Sequence, residues 1–335
     1  MKIVYRNPSD LRGNDGHSHS VPRWSARRVG MLPDNSRRTA EWSLQDFVYE
    51  RPETIAEAIV AMRANDARAL AGGTDLVPQL REGRRRTARI VDLKHIPQMT
   101  AITVLPDGGV SIGAAATAAA VARHAAITAG YPAVAESALL IGGVQVQNRA
   151  SLGGNICNAT PSADGVPALI CHGAQAQIVG PVGTREIAVE AIFAGPGRTI
   201  LEADEILVAI RLPPVVPGAA GAYRRFTPRR EMDIAVAGAG AWLRLGADGT
   251  IAEARLALAS VAPTPIRAPA AERKLVGERP SGVLFEEAGR LAAQDARPIS
   301  DMRGSAGYRG TLVAVLMGRS LADCGRRLGL EVAVA

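Results

Sequence analysis

Apolar residues at Ile55, Ala58, Ile59 and Met62 follow a Pro–Glu start in RPETIAEAIVAMRAN (51–65) and recur at the spacing of one helix face. They predict a helix with a single buried stripe. ARALAGG (67–73) reads as a short buried strand running into a glycine turn, and ARIVDLKHI (88–96) as the next strand. GGVSIGAAAT (108–117) predicts a strand behind a turn, and PAVAESALLIGGVQVQN (132–148) a helix ending at Gly142-Gly143. AQAQIVGPVGTREIAV (174–189) has the pattern of a hairpin, and DEILVAIRLP (204–213) that of a closing strand. PPVVPGAAGA (213–222) reads as a linker. Beyond it, IAVAGAGAWLRLGADGTIAEARLALASV (234–261) alternates around Asp248-Gly249 as a hairpin does, and residues 285–327 read as helical. The plan is α+β with an additional C-terminal domain, not a doubly wound sheet.

Length and charge refine this plan. A chain of 335 residues, 47% hydrophobic and 21% charged, suits a globular enzyme of two or three domains. The net charge of +7 suggests nucleic acid until it is located. Residues 1–40 hold eight basic against three acidic side chains, so the remainder is nearly neutral and a nucleic-acid surface is not expected. That segment lacks periodicity and reads as a disordered extension. Arg27-Arg28 and Arg37-Arg38 are not followed by the apolar run of an export signal, and a start at Met31 would explain the segment equally well. No apolar run reaches the about 18 residues of a membrane span. The three scattered cysteines, Cys157, Cys171 and Cys324, form neither a four-cysteine cluster nor a disulfide framework. A cytoplasmic location is the expectation.

Two glycine-rich stretches carry the candidate chemistry: AGGTDL (71–76) and SLGGN (151–155). Glycine lets the backbone approach a ligand closely, and successive amides turned into one concavity bind phosphate oxygens without a lysine. Thr74 and Ser151 add hydroxyls and Asn155 a side-chain amide. Two such stretches suit a pyrophosphate gripped from two sides. Neither matches a P-loop, and GAGAWL (238–243) lacks the third glycine of a nicotinamide fingerprint.

AGGTDL, IGGVQVQNRASLGGNICNATPSAD (141–164) and RRFTPRREMDIA (224–235), in that order, resemble the FAD-binding (medium) subunit of molybdenum hydroxylases, the xanthine dehydrogenase, aldehyde oxidase and aerobic carbon monoxide dehydrogenase group. The likeness runs from about Ser43 to the end. It implies an FAD-binding domain of two α+β subdomains (PCMH-type) over 41–215. A small C-terminal domain of a short antiparallel sheet plus helices would follow over 222–330. Carried over by position, Ala71, Gly72, Gly73, Thr74, Asp75 and Leu76, with Ser151, Gly153, Gly154 and Asn155, would hold the FAD pyrophosphate. Ile141 and Leu207 stand where the family has apolar cofactor contacts, and Asp164 matches its carboxylate. Arg225 falls where a lysine is common, and the planar fork aims its donors differently.

The resemblance also implies a small subunit with [2Fe-2S] clusters, a large molybdenum-cofactor subunit, a dimer of heterotrimers, and NAD+, a quinone or oxygen as acceptor. The chain would then relay electrons through FAD, with no catalytic base and no metal of its own. The alternatives are a self-contained flavin oxidase or reductase acting directly on a small substrate, and a non-catalytic assembly subunit. His124 reads as an exposed helix residue, Cys157 as a small buried thiol and Arg84-Arg85-Arg86 as a solvated face. Asp164 has a second reading as the cap of a helix starting near GVPALICHG.

Overall fold

The computed structural model describes residues 45–230 and 232–334; the basic extension 1–40 lies outside the described residues. The fold opens on three parallel strands, β1 Val48–Glu50, β2 Ala67–Leu70 and β3 Arg89–Asp92, in the order β1-β3-β2. Helices Ile55–Met62 and Leu76–Arg81 make the crossovers. Thr54 caps the first helix by accepting the Glu57 N–H at 3.2 Å. Ala58, Ile59 and Met62 are buried as their spacing predicts. β2 corrects the reading of ARAL as a buried strand, for Arg68 and Ala69 are exposed. It is the edge of the sheet, so pairing with β3 covers only one side.

The second layer is a five-stranded antiparallel sheet. Its strands are β4 Ile102–Val104, β5 Val110–Gly113, β6 Gln175–Gly180 and β7 Gly183–Ala188; then, past a short hairpin of β8 Phe193–Gly195 and β9 Arg198–Thr199, comes β10 Ile206–Leu212. The order β4-β5-β10-β6-β7 places β10 at the centre, and Ile112, Ile178 and Ile210 are fully buried there. Between β5 and β6 the chain runs through short helices, among them Pro132–Leu139, Leu152–Asn158 and Gly165–Cys171, whose apolar sides join the same core. These two sheets with their helices are the two α+β subdomains.

The third layer is a meander of β11 Ala219–Phe226, β12 Ala237–Leu245, β13 Ile251–Ala259 and β14 Ile266–Arg267, with helices Pro269–Leu275, Gly282–Asp295 and Ala306–Arg327. The 213–222 linker is shorter than read, since β11 begins at Ala219. Small residues are needed there for contact: a Cβ on Gly221 would lie 2.7 Å from His172 Nε2. The helical end is also divided, because residues 296–305 leave the helix around Pro298. Val313, Met317, Leu321 and Cys324 form the buried stripe of the last helix. Tyr223, Trp242 and Ala257 from this sheet pack into the core of the preceding layer. Among the described residues, no helix is long and apolar enough to cross a membrane.

His172 sits in that seam, 6% exposed, edge-on to Tyr131 at 5.4 Å, with no hydrogen-bond partner for Nε2 among the described residues. Burial, reinforced by the Arg255 and Arg327 charges, pushes its pKa down to about 4. The folded state thus holds it neutral while the unfolded chain protonates near pH 6.5. Stability from this group is complete above pH 6.5 and falls as pH drops towards 4, by about 3 kcal/mol in all. Urea unfolding across that window, for the wild type and His172→Phe, measures it; equal slopes in the two proteins would remove His172 as the cause.

Candidate functional site

Both glycine stretches line one cleft of about 410 Å³ between the two α+β subdomains. The first leaves the edge strand β2 and turns into helix Leu76–Arg81. Gly73 makes that turn at φ +75°, a conformation that side chains other than glycine's disfavour. Gly72 lies so close to the chain leading to the second stretch that a Cβ would come within 1.9 Å of the Arg149 carbonyl oxygen. The two stretches are thereby held in contact. Among the described residues, the amides of Gly72, Gly73, Thr74 and Asp75 make no backbone hydrogen bond. Those groups are donors that a folded chain normally satisfies.

SLGGN is helical rather than a phosphate-binding loop. It is the first turn of helix Leu152–Asn158, capped by Ser151 Oγ, which accepts the Gly154 N–H at 3.0 Å. Gly153 faces inward, for its Cβ would lie 2.3 Å from the Ala114 carbonyl oxygen. Gly154 is the more open position, with only Ser151 Oγ near a Cβ, at 3.1 Å. Asn155 Oδ1 accepts the Gly165 N–H at 3.1 Å, which leaves its Nδ2 as a donor on the cleft wall. Ala71, Leu76 and Ile141 also line the cleft, as does Leu207 from β10.

Asp164 and Arg225 are not on that wall; they form a buried ion pair with each other. Tyr223 Oη donates to the other Asp164 oxygen at 2.9 Å. Burial pushes the Asp164 carboxyl above the usual range, against the pull of Arg225 and Tyr223. Asp164 does precede helix Gly165–Cys171, but its side chain makes no capping bond. The pair instead ties this helix to β11.

Three minor readings change. Cys157 is exposed on the cleft wall rather than buried, because its helix turns that side outward. His124 is half-buried between two short helices, with Nδ1 unpartnered among the described residues, and it does not line the cleft. Arg84 and Arg86 are exposed as expected, whereas Arg85 is half-buried on the cleft wall near Arg68. Sequence reasoning also missed Gln79, Thr199, Leu201, Glu202 and Ala203, which line the cleft too. The helical spacing of Gln79 from Asp75 was the one available signal.

The residues present fit FAD. Unpaired amides at one glycine turn, an open glycine across from it and a side-chain amide donor converge on a cleft that also offers apolar walls at Ile141 and Leu207.

Comparison with known proteins agrees. Residues 44–215 match the family described as FAD binding domain in molybdopterin dehydrogenase, and 207–324 match the CO dehydrogenase flavoprotein C-terminal domain. The chain is 34% identical to the xanthine dehydrogenase FAD-binding subunit of Escherichia coli O157:H7, covering 83% of this chain and 96% of that one. It is likewise 34% identical to the carbon monoxide dehydrogenase medium chain of Afipia carboxidovorans, covering 82% and 95%. The solved carbon monoxide dehydrogenase from Hydrogenophaga pseudoflava superposes with a TM-score of 0.81 at 31% identity, over 85% of this chain and 99% of that one. The chain therefore belongs to the FAD-binding medium subunits of the xanthine and carbon monoxide dehydrogenase type of molybdenum hydroxylase, and is an FAD-dependent oxidoreductase subunit.

Proposed function

We propose that this chain is the flavin relay of a cytoplasmic complex that receives electrons from the [2Fe-2S] clusters of a small partner subunit and delivers them to NAD+, a quinone or oxygen. A large molybdenum-cofactor subunit would oxidise the substrate, and two heterotrimers would pair. The observation that carries the reading is the cleft with unpaired amides at Gly72–Asp75 facing the capped turn at Ser151–Asn155. FAD supplies the redox chemistry, joining one-electron donors to two-electron acceptors. The chain's own residues bind and orient it. The amides of Gly72, Gly73 and Thr74, with the Asn155 Nδ2 donor and the open face of Gly154 opposite, take the pyrophosphate. Ile141 and Leu207 supply apolar contact, and Asp75, Leu76 and Ala71 shape the first turn. Asp164 and Arg225 act from behind helix Gly165–Cys171, whose first amide is held by Asn155. No side chain in the cleft is assigned as a base for carbon substrates.

Two measurements test this. Acid or heat should release FAD into the supernatant, because the site holds it without a covalent bond; flavin remaining on the denatured chain would contradict this. Under anaerobic conditions, purines, aldehydes or carbon monoxide should leave the flavin of the isolated subunit oxidised, and should bleach it once the iron–sulfur and molybdenum subunits are added. Rapid bleaching of the lone subunit would favour a self-contained oxidase.

A further inference from the structure

The Ala71 carbonyl is held by a side chain that lies outside the cleft lining. Lys94 Nζ, from the turn after β3, donates to Ala71 O at 2.8 Å. The same ammonium lies 2.5 Å from Asp92 Oδ1, and that carboxylate also accepts the Lys94 amide at 3.1 Å. Tyr49 Oη donates to the second Asp92 oxygen. Asp92 is 3% exposed at its side chain and Lys94 22%, so the chain Tyr49–Asp92–Lys94–Ala71 is largely shielded from water. Lys94 is not part of the cleft lining. A charge-assisted bond in such surroundings is stronger and more directional than one in solvent.

The peptide plane makes this consequential. In a trans peptide the C=O and the next N–H point in opposite directions. A cation outside the cleft that holds Ala71 O therefore turns the Gly72 N–H the other way, towards the ligand side. Were the plane to flip, a carbonyl oxygen would meet the phosphate and one donor would be lost. Gly72 permits such a flip more readily than any other residue, since it has no Cβ to resist it. The close contact of Gly72 with the Arg149 carbonyl fixes its position but not the orientation of the preceding plane.

We propose that Lys94, braced by Asp92, is a positioning residue for the cofactor diphosphate: it fixes the Ala71–Gly72 peptide so that the first glycine turn presents donors only. The proposal rests on the assignment of that turn to the pyrophosphate. Lys94 has no part in the redox step and need not touch the flavin.

The experiment uses the full apo chain, titrated with FAD and with riboflavin, which lacks the diphosphate, following flavin fluorescence. Wild type, Lys94→Met and Lys94→Arg are compared, with thermal melting of each apo protein. The wild type should bind FAD far more tightly than riboflavin; no such preference would sink the pyrophosphate assignment itself. Lys94→Met should lower the apo melting temperature, as buried Asp92 loses its cation, and should weaken FAD about 30-fold, the scale of losing one charged hydrogen bond, while riboflavin affinity stays near wild type. Lys94→Arg should recover most of the FAD affinity. A Lys94→Met protein that keeps the wild-type preference for FAD overturns the role of Lys94 alone. Equal losses for FAD and riboflavin overturn it too, as they would show a general structural role.

Discussion

A Gly72→Val chain is expected to lose both FAD and stability, because its Cβ would sit 1.9 Å from a backbone carbonyl that cannot retreat as a flexible side chain could. Overpacking of this kind costs about 1–3 kcal/mol, and more where backbone must move. Here movement separates the two stretches that form the cleft. Gly153→Val should behave in the same way, since its Cβ meets the Ala114 carbonyl oxygen at 2.3 Å. Gly154→Val is the informative contrast: only Ser151 Oγ stands near, at 3.1 Å, so the fold should hold while the added side chain blocks the approach of phosphate. Urea unfolding of the apo proteins separates the cases, and flavin content after purification reads binding. Full flavin occupancy in a folded Gly154→Val protein would remove the pyrophosphate assignment.

That contrast marks how far the sequence could be read. The clustering of glycine, threonine and asparagine marked residues that line one cleft, because a turn with φ +75° at Gly73 and a close backbone approach at Gly72 have few other solutions. The separate roles of the glycines were not legible. Which side of Gly153 is occupied depends on Ala114, about forty positions earlier, and local pattern carries no record of it. The same holds for β2, whose edge position follows from sheet order, and for PPVVPGAAGA, where small residues marked tight packing on His172 as well as a turn. Strands with their own alternation, such as β12 and β13 around Asp248-Gly249, were found with near-correct ends. Arg85 was hidden inside a run of three arginines that composition makes look uniform, although burial distinguishes it from its neighbours.

Asp164→Leu is expected to destabilise the chain by about 3–5 kcal/mol, the cost of leaving one member of a buried ion pair without its partner. The Arg225 side chain is 5% exposed and that of Asp164 10%, so water cannot replace the lost carboxylate. Tyr223 Oη would lose its acceptor as well. Because Asp164 begins helix Gly165–Cys171 and Arg225 lies on β11, the loss loosens the seam between the FAD-binding part and the C-terminal sheet. The double variant Asp164→Leu/Arg225→Met removes both charges, and should recover a good part of the stability lost by the single one. A double-mutant cycle from urea unfolding measures this; two single variants within 1 kcal/mol of wild type would show that the pair has little weight. Asp164→Asn also leaves the Arg225 charge without its partner but keeps an acceptor for Tyr223 with little change in volume, so its flavin affinity is compared with its own stability. If Asp164 bonds the flavin directly, FAD affinity falls in that variant by more than the lowered melting temperature of the apo chain accounts for. If it acts only behind the helix, affinity follows stability, and the change passes through the bond that holds the Gly165 amide to Asn155.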